Sequence, residues 1–146
     1  LLACGTDPKP EPEAIYPADY ATTYREVRNC RQSIDHDIMF VRILAAPEAF
    51  EAYDGRLKPF VAGDLIVKEQ YDEDDPNCEG PIASITAMRK LDEGAAPDEG
   101  DWEWQKTDAN GKTDTEYNLA RCSGCHVGPD GCGQPPYGYL GTCAGE

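Results

Sequence analysis

Five consecutive residues, Cys122-Ser123-Gly124-Cys125-His126, constrain this chain more than any other feature. Two thiols three positions apart can both reach the vinyl groups on one edge of a porphyrin, and the next residue sets an imidazole beneath the iron. Cys-x-x-Cys-His is therefore the attachment signature of c-type haem. Two other chemistries use a similar spacing. A zinc site would want a second pair of ligands, and the only other histidine, His36, has no Cys-x-x-Cys beside it. A thiol redox pair would be expected beside a βαβ unit, which the pattern of residues does not suggest. The expectation is one covalent haem c, with thioethers at Cys122 and Cys125 and His126 as the proximal ligand of the haem iron. At 146 residues the chain suits one domain large enough to surround most of that group.

The remaining cysteines bear on compartment. Seven are many for a reduced cytosolic protein of this size. Cys4 lies in Leu1-Leu2-Ala3-Cys4-Gly5, which reads as the end of a bacterial lipoprotein signal whose cysteine carries the lipid. Cys30, Cys78, Cys132 and Cys143 are left, an even set with three possible pairings. Cys30–Cys78 with Cys132–Cys143 is the favoured one, since the second bond closes a short loop in a segment poor in apolar residues. These features suggest an exported bacterial protein, periplasmic or at the cell surface, touching the membrane only through a lipid anchor on Cys4.

Thirteen Lys and Arg against 28 Asp and Glu give a formal net charge of −15. That balance argues against nucleic acid or an anionic lipid surface as partner and suits a basic redox protein. No apolar run approaches the roughly 20 residues of a membrane span.

Along the chain, the proline-rich residues 5–18 read as a semi-rigid tether, so residues 1–18 are set apart from a single haem domain over 19–146. Asp19 to Ser33 suits a helix, with Tyr20, Tyr24, Val27 and Cys30 at helical spacing. His36 to Leu44 alternates as a strand, with Ile38, Phe40, Arg42 and Leu44 on one face and Met39, Val41 and Ile43 on the other. A short helix starts at Pro47 and runs to Tyr53. Further strands are expected over Asp64–Tyr71, Ile82–Leu91 and Asp101–Thr107, the last followed by the turn Asp108-Ala109-Asn110-Gly111. This order gives an α+β class: an antiparallel β-sheet with helices packing around the haem.

Three segments ahead of the haem motif carry a family resemblance. Phe40-Val41-Arg42-Ile43, the run from Pro59-Phe60 through Gly63 to Lys68, and Trp102-Glu103-Trp104 resemble, in order, segments of the cytochrome P-460 and cytochrome c′-beta family. The likeness spans about residues 19–126. It implies an antiparallel sheet around one haem. In cytochrome P-460 itself a lysine is bonded to the porphyrin and the protein oxidises hydroxylamine. By position Lys68 resembles that lysine and Arg42 the distal-pocket arginine, which makes both candidate catalytic residues. The family's distal glutamate has no clear counterpart, as Glu93 and Glu99 both lie in a loop-like stretch. The glycine-rich tail with Cys132 and Cys143 departs from the family's usual ending.

Read from the residues alone, Arg42 is the only charge among Met39 to Leu44, so a carboxylate or an anion such as a haem propionate must meet it. Lys68 can equally be a strand lysine that reaches solvent. His36, Met39, Met88 and Lys68 are the candidates for the sixth iron position, which decides the chemistry. His36 between two aspartates suits a solvated histidine, the methionines suit the core, and Trp102 and Trp104 suit packing. The resemblance favours an open iron, which would bind and oxidise a small nitrogen species such as hydroxylamine. A closed one would make a lipid-tethered electron carrier, and an open one without turnover would be a nitric oxide binder.

Overall fold

A computed structural model describes residues 9–144; the lipid-bearing role expected of Cys4 lies outside them. Five strands, β1 (Arg25–Gln32), β2 (Phe40–Ala45), β3 (Leu65–Tyr71), β4 (Ser84–Lys90) and β5 (Trp102–Thr107), form one sheet. Each pairs antiparallel with the next, so spatial order follows chain order. Helices are few: α1 (Tyr20–Thr23), a π-helical turn over Glu51–Gly55, a 3-10 turn over Pro97–Glu99, and α2 (Ala120–His126). The fold is thus mainly an antiparallel sheet, with less helix than expected. No helix among the described residues is long and apolar enough to cross a membrane.

Register divides the sheet into two faces. On the front, Ala45, Ile66, Met88 and Trp104 form one row across the strands, and Ile43, Lys68, Thr86 and Lys106 the next. On the back, Arg42, Glu69, Ile85 and Thr107 form a row, flanked by Leu44, Val67, Ala87 and Gln105. Each face has its own core. The front core joins Ile66, Met88, Trp102 and Trp104 to Phe60 and to the fully buried Ala49 and Ala52, whose small side chains let the π-helical turn lie close to the strands. The back core is Tyr16, Tyr20, Leu44, Val67, Ile85 and Ala87.

Three expectations need correction. The helix expected over 19–33 stops after one turn, and Arg25–Gln32 is a strand on β2. Its register shifts twice, between Glu26 and Arg28 and between Arg28 and Arg31, and only Val27 of the strand is buried, so it shows no alternation of period two. Residues 12–16 are also not a tether. Ile15 donates its backbone N–H to Gln105 Oε1 at 2.9 Å, Thr113 Oγ1 donates to the Pro12 carbonyl at 2.8 Å, and Tyr16 is buried with its hydroxyl 2.5 Å from Thr107 Oγ1. The segment lies against back-face side chains of β5, Gln105 and Thr107, and adds Tyr16 to the back core. The strand expected from His36 starts only at Phe40, because residues 33–39 form a loop closed by Ser33 N–H to the Met39 carbonyl at 2.9 Å.

Cys30 pairs with Cys78 and Cys132 with Cys143, the favoured pairing. The first ties edge strand β1 to the loop between β3 and β4, across a sequence separation of 48. Chain-entropy reasoning for a loop of that size gives about 4 kcal/mol. Replacing both Cys30 and Cys78 by alanine is expected to lower unfolding stability in guanidinium by that order, and a loss under about 1 kcal/mol would mean the bond restrains little.

Candidate functional site

The front face of the sheet forms one wall of a cavity of about 820 Å³, within the usual range for cofactor sites. Helix α2 brings Cys122, Cys125 and His126 to it, and the 33–39 loop brings His36. Among the described cysteines, Cys122 and Cys125 are the two left as free thiols, Cys122 half-buried and Cys125 exposed. Burial pushes the Cys122 thiol up, against the pull of Lys68.

His126 is held on three sides. Its Nδ1 lies 2.9 Å from the Gly141 carbonyl, which can only accept, so Nδ1 carries the proton and Nε2 keeps its lone pair. Trp104 meets the ring edge-on with centres 5.0 Å apart. The Cys132–Cys143 disulfide lies alongside, with Cys143 Sγ 3.5 Å from Nδ1. His126, Cys132 and Cys143 cluster tightly enough for a metal ion, but two of those sulfurs are spent in the disulfide and offer no thiolate. Burial pushes the imidazole down to about 4, with Lys68 adding to the effect, so it is neutral at ordinary pH. The contact with Gly141 depends on glycine. Its φ is +89°, and an added Cβ would come within 2.8 Å of Trp102 Nε1.

His36 is half-buried, bonded through Nδ1 to the Ser33 hydroxyl at 2.6 Å, and borders the cavity. The solvated role expected for it does not hold. Burial pushes it down to about 3, aided by Lys68 and His126. Met88 borders the cavity from within the front core, whereas Met39 does not border it.

Lys68 and Arg42 part company. Lys68 borders the cavity, in register with Thr86 and Ile43. Arg42 stands on the back face, where Glu69, its direct partner across β2 and β3, receives its guanidinium at 2.7 and 2.9 Å. The anion that Arg42 requires is thus a protein carboxylate, and a place in the distal pocket is ruled out by strand alternation. Neither Glu93 nor Glu99 borders the cavity; both are exposed.

Sequence reasoning overlooked the basic lining. Arg28, Arg31, Lys106 and Arg121 join Lys68 around the cavity, in a chain of net charge −15. The signal was available in the basic residues of Arg25–Gln32, but the helical reading of that segment hid it. Two buried donors at the cavity, Arg28 Nε and Trp104 Nε1, have no partner within the protein. Buried donors are seldom left so, which points to a group that fills the space.

Burial pushes Lys68 down to about 7; Lys106 adds to this, while the Cys122 thiol and Asp37 oppose it. Between that value and 10.5, the unfolded haem-free chain holds a proton that the folded one has released, so folding stability rises with pH across the window. A Lys68→Met variant is expected to flatten this rise in denaturant titrations from pH 7 to 10.5. An unchanged slope would show that Lys68 stays solvated.

The family model described as cytochrome P460 aligns with residues 17–130, ending just before the disulfide-bonded tail. No curated protein matches the chain.

Proposed function

The chain belongs to the cytochrome P460 family, which implies a haem cofactor, and on that premise we propose that Cys122 and Cys125 hold one haem through thioether bonds, with His126 as its proximal ligand. The observation that carries this is the convergence of two free thiols and one neutral imidazole on a single basic cavity. The donor set fits the group. Thiols three residues apart on one helix suit the two vinyl positions, and Nε2 of His126 is the nitrogen left for iron. Arg28, whose Nε lacks a partner, suits a propionate. Haem supplies one-electron chemistry when bound. The chain's own part is to fix the imidazole tautomer through Gly141, to exclude water with Trp104 and the disulfide, and to keep cationic charge around an acidic group.

Electron carriage is the activity these parts support best. Of the two residues that the P-460 pattern assigns to hydroxylamine chemistry, Arg42 faces the other side of the sheet. Oxidation of a small nitrogen species is the second reading, and Lys68 favours it. That lysine borders the cavity, and burial pushes its amine down to about 7, which leaves a share of it unprotonated near neutral pH, as a bond to the porphyrin edge would require. A bound nitric oxide without turnover would fit the same cavity if that bond were absent. Two disulfides suit an oxidising compartment, and the acidic exterior suits a basic redox partner. The protein therefore works outside the cytoplasm, with Cys4 as its lipid anchor.

Intact mass of the protein produced with cytochrome c maturation tests the attachment: one haem retained under denaturing conditions is expected, and none would overturn it. Adding hydroxylamine to that preparation separates the activities. Steady turnover that Lys68→Met abolishes would replace electron carriage with oxidation.

A further inference from the structure

The chain has two histidines, and both border the one cavity. Their ring centres lie 6.4 Å apart with planes tilted by 56°. In each ring Nδ1 is engaged inside the protein, by the Gly141 carbonyl for His126 and by the Ser33 hydroxyl for His36. Each therefore has Nε2 left to bind a metal. The atom nearest to His126 Nε2 among its sulfur contacts is Cys143 Sγ at 3.9 Å, a disulfide sulfur with no proton to donate to it.

That separation has a simple reading. A metal ion shared by two imidazole nitrogens at about 2.0–2.1 Å each holds the ring centres roughly 6.4 Å apart, and rotation about the nitrogen–metal axis leaves the tilt between planes free. We propose that His36 is the sixth ligand of the haem iron, opposite His126; this rests on the haem reading given above.

The loop that carries His36 supports the assignment independently. Asp37 and Ile38 both take left-handed backbone, at φ 60° and 63°. For a β-branched residue that conformation is unfavourable by roughly 1–2 kcal/mol. Burial of Ile38 does not offset it, since that side chain is 53% exposed. What the bend achieves is to bring His36 to the cavity while the chain re-enters the sheet at Phe40, the loop closing through Ser33 and Met39. Strained backbone kept without a packing return is characteristic of functional segments. The rival ligands are less well placed. Met39 does not border the cavity, and Met88 is held in the front core. Lys68 does border it and must be tested directly.

A closed iron exchanges electrons without binding small molecules readily, so the assignment gives the electron-carrying reading its mechanism. The test uses the haem-loaded full chain. Its absorption and electron paramagnetic resonance spectra are expected to be six-coordinate and low-spin. His36→Ala should convert them to high-spin, and added imidazole should restore the original form. Carbon monoxide should bind the reduced His36→Ala protein about tenfold or more tightly than the parent, since the competing ligand is gone. Ser33→Ala, which keeps the imidazole but loses its Nδ1 partner, should move carbon monoxide affinity the same way by less. A parent protein that carries haem yet is five-coordinate and high-spin overturns the assignment. So does a low-spin spectrum that survives His36→Ala and is lost in Lys68→Met. Failure to find covalent haem at all would instead overturn the attachment on which this rests.

Discussion

A Cys122→Ala, Cys125→Ala double variant is expected to retain no haem once denatured, while each single variant keeps one thioether and the full haem mass. On the proposed attachment each thiol would reach a different vinyl group, whereas an iron bond from His126 would not survive unfolding. His126→Ala should therefore behave in the opposite way, keeping the mass but losing normal axial ligation. It should also free the Gly141 carbonyl and the edge of Trp104, leaving a buried acceptor unpaired at a cost of about 1–3 kcal/mol. Intact mass before and after denaturation, read beside the absorption spectrum, separates these outcomes. Haem mass in the denatured double variant would show that attachment runs through other residues.

The second large effect lies on the face away from the haem site. Glu69 is fully buried and accepts from the Tyr20 hydroxyl at 2.8 Å, the Tyr71 hydroxyl at 2.7 Å and the Arg42 guanidinium. Burial, then the carboxylate beside them, pushes both tyrosines well up, so they remain donors over the whole working range. Glu69→Ala strands three donors at once. Removing one partner of a buried ion pair typically costs about 3–5 kcal/mol, and Arg42, which is about one-third exposed, can recover some water. A loss of about 3 kcal/mol is expected in urea unfolding, with the spectrum of the bound haem unchanged. A loss under about 1 kcal/mol, or a changed spectrum, would show that the back-face network is either dispensable or coupled to the iron.

What could be read in the residues followed the regularity of the strands. β2 through β5 were legible to within a few residues because alternation there is clean, and the same alternation separates Lys68 from Arg42. β1 was not, since Tyr20, Tyr24, Val27 and Cys30 stand at helical intervals in the sequence although Tyr20 belongs to a one-turn helix and Val27 and Cys30 to an irregularly paired edge strand. The cysteine pairing was legible from composition and spacing. The opposite wall of the cavity was not. It depends on two left-handed residues in a loop, Asp37 and Ile38, that no propensity favours. The resemblance of Arg42 to a pocket arginine misled for a related reason. A motif fixes a position along a strand, and only the partner strand, here with Glu69 at the matching position, decides which face that position serves.

The disulfide beside His126 has a consequence for how the chain matures. Six cysteines lie within the described residues, and six thiols oxidised together admit fifteen pairings. With Cys143 Sγ 3.5 Å from the imidazole that immediately follows Cys125, the wrong partners are close at hand. Thioether formation at Cys122 and Cys125, as proposed, would withdraw two thiols from exchange and reduce fifteen arrangements to three. Delivering haem before the tail oxidises would thus act as an error filter: the prosthetic group, besides its redox work, would narrow the choices open to the remaining sulfurs.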